Sequence, residues 1–217
     1  MPPNPTMSST RPTSSTSRPQ FIRTISSSST RDKPRLYIAL YPRGGLSFFR
    51  NNFNCDSYHW SLIVGPQTAF RTDPGTRYHI AHVDDDTNTN KYVYEEQDIP
   101  SNAGAQTVLV RVAVAKVTNE TRLQALLRDI PLRQDDSAYT CHTWVREAFI
   151  KLLDDSKSVK SYLKTDDWNA VEACARKYCK RKRDAGRFVE DSNGGNHQWN
   201  DQIISTFNFW ENRETTA

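Results

Sequence analysis

Nowhere in this chain do roughly 20 apolar residues run together, so no stretch of it is built to cross a membrane as a helix. Apolar side chains are also scarce overall, at 36% of 217 residues. Mean hydropathy is -0.76, below what a chain folded throughout carries. The deficit is concentrated at the start. Residues 1–34 are nearly all Ser, Thr, Pro, Arg and Asn, with Phe21 and Ile22 almost the only large apolar side chains. Such a segment cannot bury a core, so a disordered tail over 1–34 is expected, then one domain over 35–190 and a weakly structured extension over 191–217.

Cysteine is scarce too. Four residues (Cys55, Cys141, Cys174, Cys179) with no signal-type apolar region do not make a disulfide-stapled secreted scaffold. They predict free thiols in a reducing, cytoplasmic setting. The alternative address is mitochondrial, because the tail is rich in Arg and Ser and nearly free of acids, although Pro2, Pro3, Pro5, Pro12 and Pro19 oppose the amphipathic helix an import signal needs. An excess of charge is missing from the folded part. Of 29 basic and 25 acidic residues, five and one fall within 1–34, leaving 24 of each. The pI of 8.9 therefore belongs to the tail, and a neutral domain lacks the broad electrostatic footprint of a nucleic-acid binder.

Phosphate-loop and metal patterns are wanting as well. No Gly-Lys-Ser/Thr follows Arg43-Gly44-Gly45. Cys55-x3-His59 with Cys174-x4-Cys179 offers four soft ligands at poor spacings, and Asp84-Asp85-Asp86 has no glycine-turn loop, so neither a metal nor a cofactor is expected. Lys180-Arg181-Lys182-Arg183 reads as the exposed end of a helix rather than an anion patch.

What is present divides into two periods. Strand-like runs cover 35–41, 58–64, 77–83, 91–95 and 107–114, bounded by turn residues such as Gly65-Pro66. Helical stripes follow. Leu123, Leu126, Leu127 and Ile130 form one, capped by Thr118 or Asn119 and stopped by Pro131; Val145, Ala148, Phe149 and Leu152 form a second; Trp168, Val171, Ala175 and Tyr178 form a third, starting at Thr165. Strands followed by helices, without alternation, predict an α+β fold with a small antiparallel sheet of about five strands packed on about three helices. Near the C-terminus Trp199, Ile203, Ile204, Phe207 and Trp210 still suggest packing onto the domain.

The chemistry gathers at Thr140-Cys141-His142-Thr143-Trp144-Val145. Cys141 opens the second helix on its apolar stripe, Thr140 can cap the first turn, and the positive end of the helix dipole favours thiolate over thiol. A thiol nucleophile needs an imidazole to take and return a proton. His59 on the second strand is the best partner and His79 on the third the best orienting group, with His82 or a backbone or amide oxygen as alternatives. His142 points about 100 degrees away around the helix, and His197 lies in the C-terminal extension. The competing reading makes Cys141 a small apolar residue starting a core helix.

Tyr58-His59-Trp60-Ser61-Leu62-Ile63-Val64-Gly65, then His79, then Cys141 at a helix start resembles the circularly permuted papain-like thiol enzymes of the lecithin:retinol acyltransferase type. That likeness implies a Cys-His pair acting through a thioester, as hydrolase or acyltransferase, on a small-molecule, acyl or peptidyl substrate. Thr140 before the cysteine and His142 directly after it depart from that family's pattern. Leu36 to Gly45, Tyr58-His59-Trp60, Gly75 to His79, Val108 to Val112 and Trp144-Val145 also resemble an uncharacterised fungal family of unknown function, which implies a setting such as secondary metabolism, including the joining of aminoacyl or peptidyl units. A non-catalytic binding or scaffold module of the same shape is the alternative.

Overall fold

The computed structural model describes residues 33–43, 58–84, 90–99, 108–188, 200 and 202–217. The expected tail, apart from residues 33 and 34, lies outside them, as do Cys55 and His197. The fold is α+β. Strands β1 (Arg35–Pro42), β2 (Tyr58–Gly65), β3 (Gly75–Asp84), β4 (Asn90–Ile99) and β5 (Val110–Val117) come first, then helices α1 (Glu120–Arg128) and α2 (Cys141–Asp155), the short β6 (Val159–Lys160), a 3-10 turn over Thr165–Asp167 leading into α3 (Trp168–Asp184), and finally β7 (Ser205–Asn208) and β8 (Arg213–Thr216). One mixed sheet runs β4-β3-β2-β1-β5-β7-β8, with β6 paired to β5. Among the described residues it has eight strands, more than the five expected. Two of the three additional strands lie in the C-terminal segment expected to be weakly structured, where β7 joins β5 in parallel and closes on β8; the third is the two-residue β6 between the second and third helices.

The helices begin and end where local chemistry allows. Asn119 Oδ1 accepts the Arg122 amide at 3.0 Å and caps α1. Thr140, with extended backbone, caps α2 through the Thr143 amide, and Ser156 ends that helix in the left-handed region at φ 54. The basic run closing α3 is spent locally: Lys180 and Arg183 meet Asp184, while Arg181 and the buried Lys182 meet Glu214 on β8.

The alternation of side chains along each strand divides the sheet into two faces. On one, Leu36, Ile38 and Leu40, Tyr58, Trp60 and Leu62, Tyr78 and Ile80, and Val110, Val112 and Val114 pack against the apolar stripes of all three helices in the main core. On the other, Tyr37, Ala39, Tyr41, Ile63, Ala113 and Ile204 form a smaller core. Residues 59, 61, 77 and 79 belong to this second face, opposite the helices.

A fork positions the candidate site. β1 and β2 are paired along their whole length, but β2 and β3 pair only at Leu62↔Tyr78, Ile63↔Arg77 and Val64↔Thr76. Beyond Leu62 the strands diverge, leaving the stretch Tyr58–Ser61 without a β3 partner. β3 keeps full register with β4, which places His79 opposite Glu95. Where β2 and β3 do meet, they are close: a Cβ added to Gly75 would lie 2.6 Å from the Val64 carbonyl oxygen.

Candidate active site

Cys141 reaches the fork from the helix side. As the first residue of α2 it projects toward β2, where its Sγ accepts the Trp60 backbone N–H at 3.5 Å. That amide is available because the β2–β3 ladder has already ended at Leu62. Arg43, just past the end of β1, brings Nη2 to 3.6 Å from the same sulfur. The sulfur's hydrogen-bond neighbours are therefore a main-chain amide and a guanidinium; neither imidazole is hydrogen-bonded to it. Cys141 is 3% exposed, and it forms part of the wall of a cavity of about 430 Å³.

The histidines reach that cavity from the opposite face. His59 Nε2 and His79 Nδ1 are 3.1 Å apart, with the rings edge to face. His79 Nε2 is 3.2 Å from Glu95 Oε2, an ion-pair distance at an angle short of a well-aligned hydrogen bond. Glu95 is fixed by Gln97 Nε2 at 2.8 Å, Gln97 accepts from Arg77 at 3.3 Å, and the Arg77 guanidinium lies 4.0 Å over the Tyr41 ring. This order dictates the tautomers. A carboxylate beside His79 Nε2 calls for a proton there, which leaves His79 Nδ1 as acceptor and His59 Nε2 as donor. His59 Nδ1 is then the nitrogen with a free lone pair.

Both imidazoles are held neutral. Burial pushes His59 down to about 2, with the Arg77, His79 and Arg43 charges acting in the same direction. Burial, then Arg77, lowers His79 to about 4 against the opposing effect of hydrogen bonds His79 makes to the Gln97 side chain and the Ile80 main chain. A cavity holding two guanidinium groups, two neutral imidazoles and a thiol can take a proton from the thiol and still offer positive charge to an oxygen turning negative.

A family model matches residues 33–216. The chain belongs to DUF6914, a family of unknown function. No curated protein and no solved structure matches it. The family carries no activity with it, so any assignment for this DUF6914 chain rests on the side chains themselves.

Of the residues singled out in the sequence, Cys141, His59 and His79 all line the one cavity. His82, three residues beyond His79, also lines that cavity, but from the other face of β3, its ring tilted against Tyr92 with centroids 4.1 Å apart; it is His79, not His82, that lies within hydrogen-bond distance of His59. His142 turns away into the interior, its Nε2 3.0 Å from Glu172 and its ring against Trp60 and Trp168. Cys179 is buried in the main core while His59 lies on the opposite face of β2, so the four-ligand zinc pattern does not converge. Three residues escaped the sequence reading: Glu95, Arg43 and Arg77. The signal for Glu95 was arithmetic. A hairpin centred on residue 87 pairs positions equidistant from it, and 79 and 95 are such a pair.

Proposed function

We propose that this protein is a cysteine-dependent acyl-transfer enzyme of permuted papain-like design, a hydrolase or acyltransferase. The observation that carries the reading is the meeting, in one cavity, of a thiol on the first turn of α2 with an ordered Glu95–His79–His59 chain. Cys141 Sγ attacks the carbonyl carbon of an ester, amide or thioester as its proton passes to His59 Nδ1, and the carbonyl oxygen takes up the negative charge. Collapse breaks the bond to the leaving group, which departs with that proton and leaves an acyl thioester on Cys141. Water or an amine then attacks the thioester, gives its proton to His59, and releases the acid or the new amide as the thiol is restored. Arg43 supplies the cation nearest the sulfur.

Because burial and the neighbouring guanidinium groups hold His59 neutral and weaken it as a base, it takes the thiol proton only as the sulfur attacks and does not stand as the cation of an ion pair. The sulfur must turn from the Trp60 amide toward His59 for this to happen. That requirement favours one competing reading, a binding module in which Cys141 is a packed residue gripped by the strand.

Iodoacetamide labelling followed by mass spectrometry separates the two. Burial raises the Cys174 and Cys179 thiols to about 11 and about 12, so at pH 7 they are slow and Cys141 is expected to react ahead of them. His59→Ala should slow that labelling and lower turnover of activated acyl esters by about a hundredfold, at the low end for loss of a general base. A Cys141 that stays protected until the protein unfolds would sink the enzyme reading and favour the binding module.

A further inference from the structure

At the other end of β1 from Cys141, about 23 Å away for seven strand steps, a second cavity of about 440 Å³ opens on the face opposite the helices. Three cations stand side by side across adjacent strands at its wall: Arg35 on β1 pairs in register with Lys116 on β5, and Lys116 pairs with Lys160 on β6. Like charges directly opposite one another destabilise a sheet, yet here the arrangement occurs twice in succession. Lys33 adds a fourth charge, its carbonyl accepting from Arg35 at 2.6 Å. Among the described residues none of the four has a carboxylate partner; the cavity's acid, Glu211, is taken by Arg213.

Two aromatic side chains complete the wall. Tyr162 is 85% exposed, an unusual position for a large ring, and stands edge to face with Trp210 at 6.4 Å. The cations of this wall lack negative charge, and the open face of Tyr162 lacks a flat apolar surface to stack on. A ligand that carries both an anionic group and a flat ring meets both needs.

We propose that this cavity binds a nucleoside phosphate: phosphate oxygens on Lys116, Lys160 and Arg35, and the base against Tyr162. The volume lies in the range of small-ligand pockets. Single-stranded nucleic acid offers the same groups but needs a charged track beyond them, and the domain's 24 basic and 24 acidic residues do not supply a net excess.

Calorimetric titration of the full chain with ADP, inorganic phosphate, adenosine and a single-stranded thymidine octamer tests this. ADP is expected to bind at least about tenfold more tightly than phosphate or adenosine alone, since neither carries both halves of the contact. Lys116→Gln and Lys160→Gln should each weaken ADP about tenfold, the loss of one charge-assisted contact. Without ligand, both variants should melt no lower than the wild type because a like-charge contact has been removed. Trp210→Phe should abolish any ADP-dependent change in tryptophan fluorescence assigned to that ring, which stands against Tyr162. ADP binding no better than phosphate, unchanged affinity in both lysine variants, or a lower melting temperature for them without ligand would overturn the proposal. An octamer that binds much more tightly than ADP would overturn it too, in favour of a nucleic-acid surface.

Discussion

A histidine desolvated beside a guanidinium group stays unprotonated in the folded protein at pH values where the same residue in the unfolded chain has gained a proton. His59 and His79 are both in this position, lowered to about 2 and about 4 from an ordinary value of 6.5. Above pH 6.5 both states of the chain carry neutral imidazoles and the fold is not penalised. As the pH falls below 6.5 the unfolded chain binds protons the native one refuses, so stability is lost from there down toward the folded values. The urea midpoint is expected to drop between pH 7 and pH 4.5, and a His59→Gln/His79→Gln variant to show a shallower drop, the difference isolating the two histidines from carboxylates titrating in the same range. An equal slope in both proteins would mean the imidazoles titrate freely. At this scale the sequence was informative about residue type and weak on company. Cys141, His59 and His79 stood out because thiols and imidazoles are few. Arg43, Arg77 and Glu95 did not, because charged residues in loops and on half-buried strands look like solvated surface until register places them.

Among the elements, the β2–β3 fork depends on a three-pair ladder whose tightest point is Gly75. A Cβ there meets main chain rather than a yielding side chain, so Gly75→Ala must push β3 away from Val64. The expected cost is about 1–3 kcal/mol, typical of overpacking against a fixed neighbour, read as a lower urea midpoint. Cys141 labelling should change in parallel, since the Trp60 amide holding the sulfur sits just beyond that ladder; an unchanged midpoint would show that the strands part without cost. The first five strands and the three helices were legible because each carries an apolar pattern over five or more residues. β6, β7 and β8 have two to four residues each, too few for a period to declare itself. β6 and β7 exist because β5 offers them an edge, and β8 because β7 does, which no local pattern can announce.

For the whole molecule, the C-terminal strands are structural members of the sheet. Phe207 packs in the main core, Ile204 in the smaller one, and Glu214 receives both the Lys182 ammonium and the Tyr178 hydroxyl. Glu214→Gln removes the charge partner of a lysine that is 3% exposed, and breaking a buried pair from one side costs about 3 kcal/mol. A melting temperature lowered by several degrees is expected; an unchanged one would mean that water or another acid takes the lysine over. β7 is also the one strand here that joins its neighbour in parallel, and Val110 and Ser205, which open that pairing, are 95 positions apart. During synthesis at about 5–20 residues per second, the β5 edge therefore waits about 5–20 s after it is made before its own chain can cover it. For that interval a strand in which six of eight residues are Val or Ala is open to any other strand that passes, so the order of manufacture exposes a hazard that the finished fold conceals.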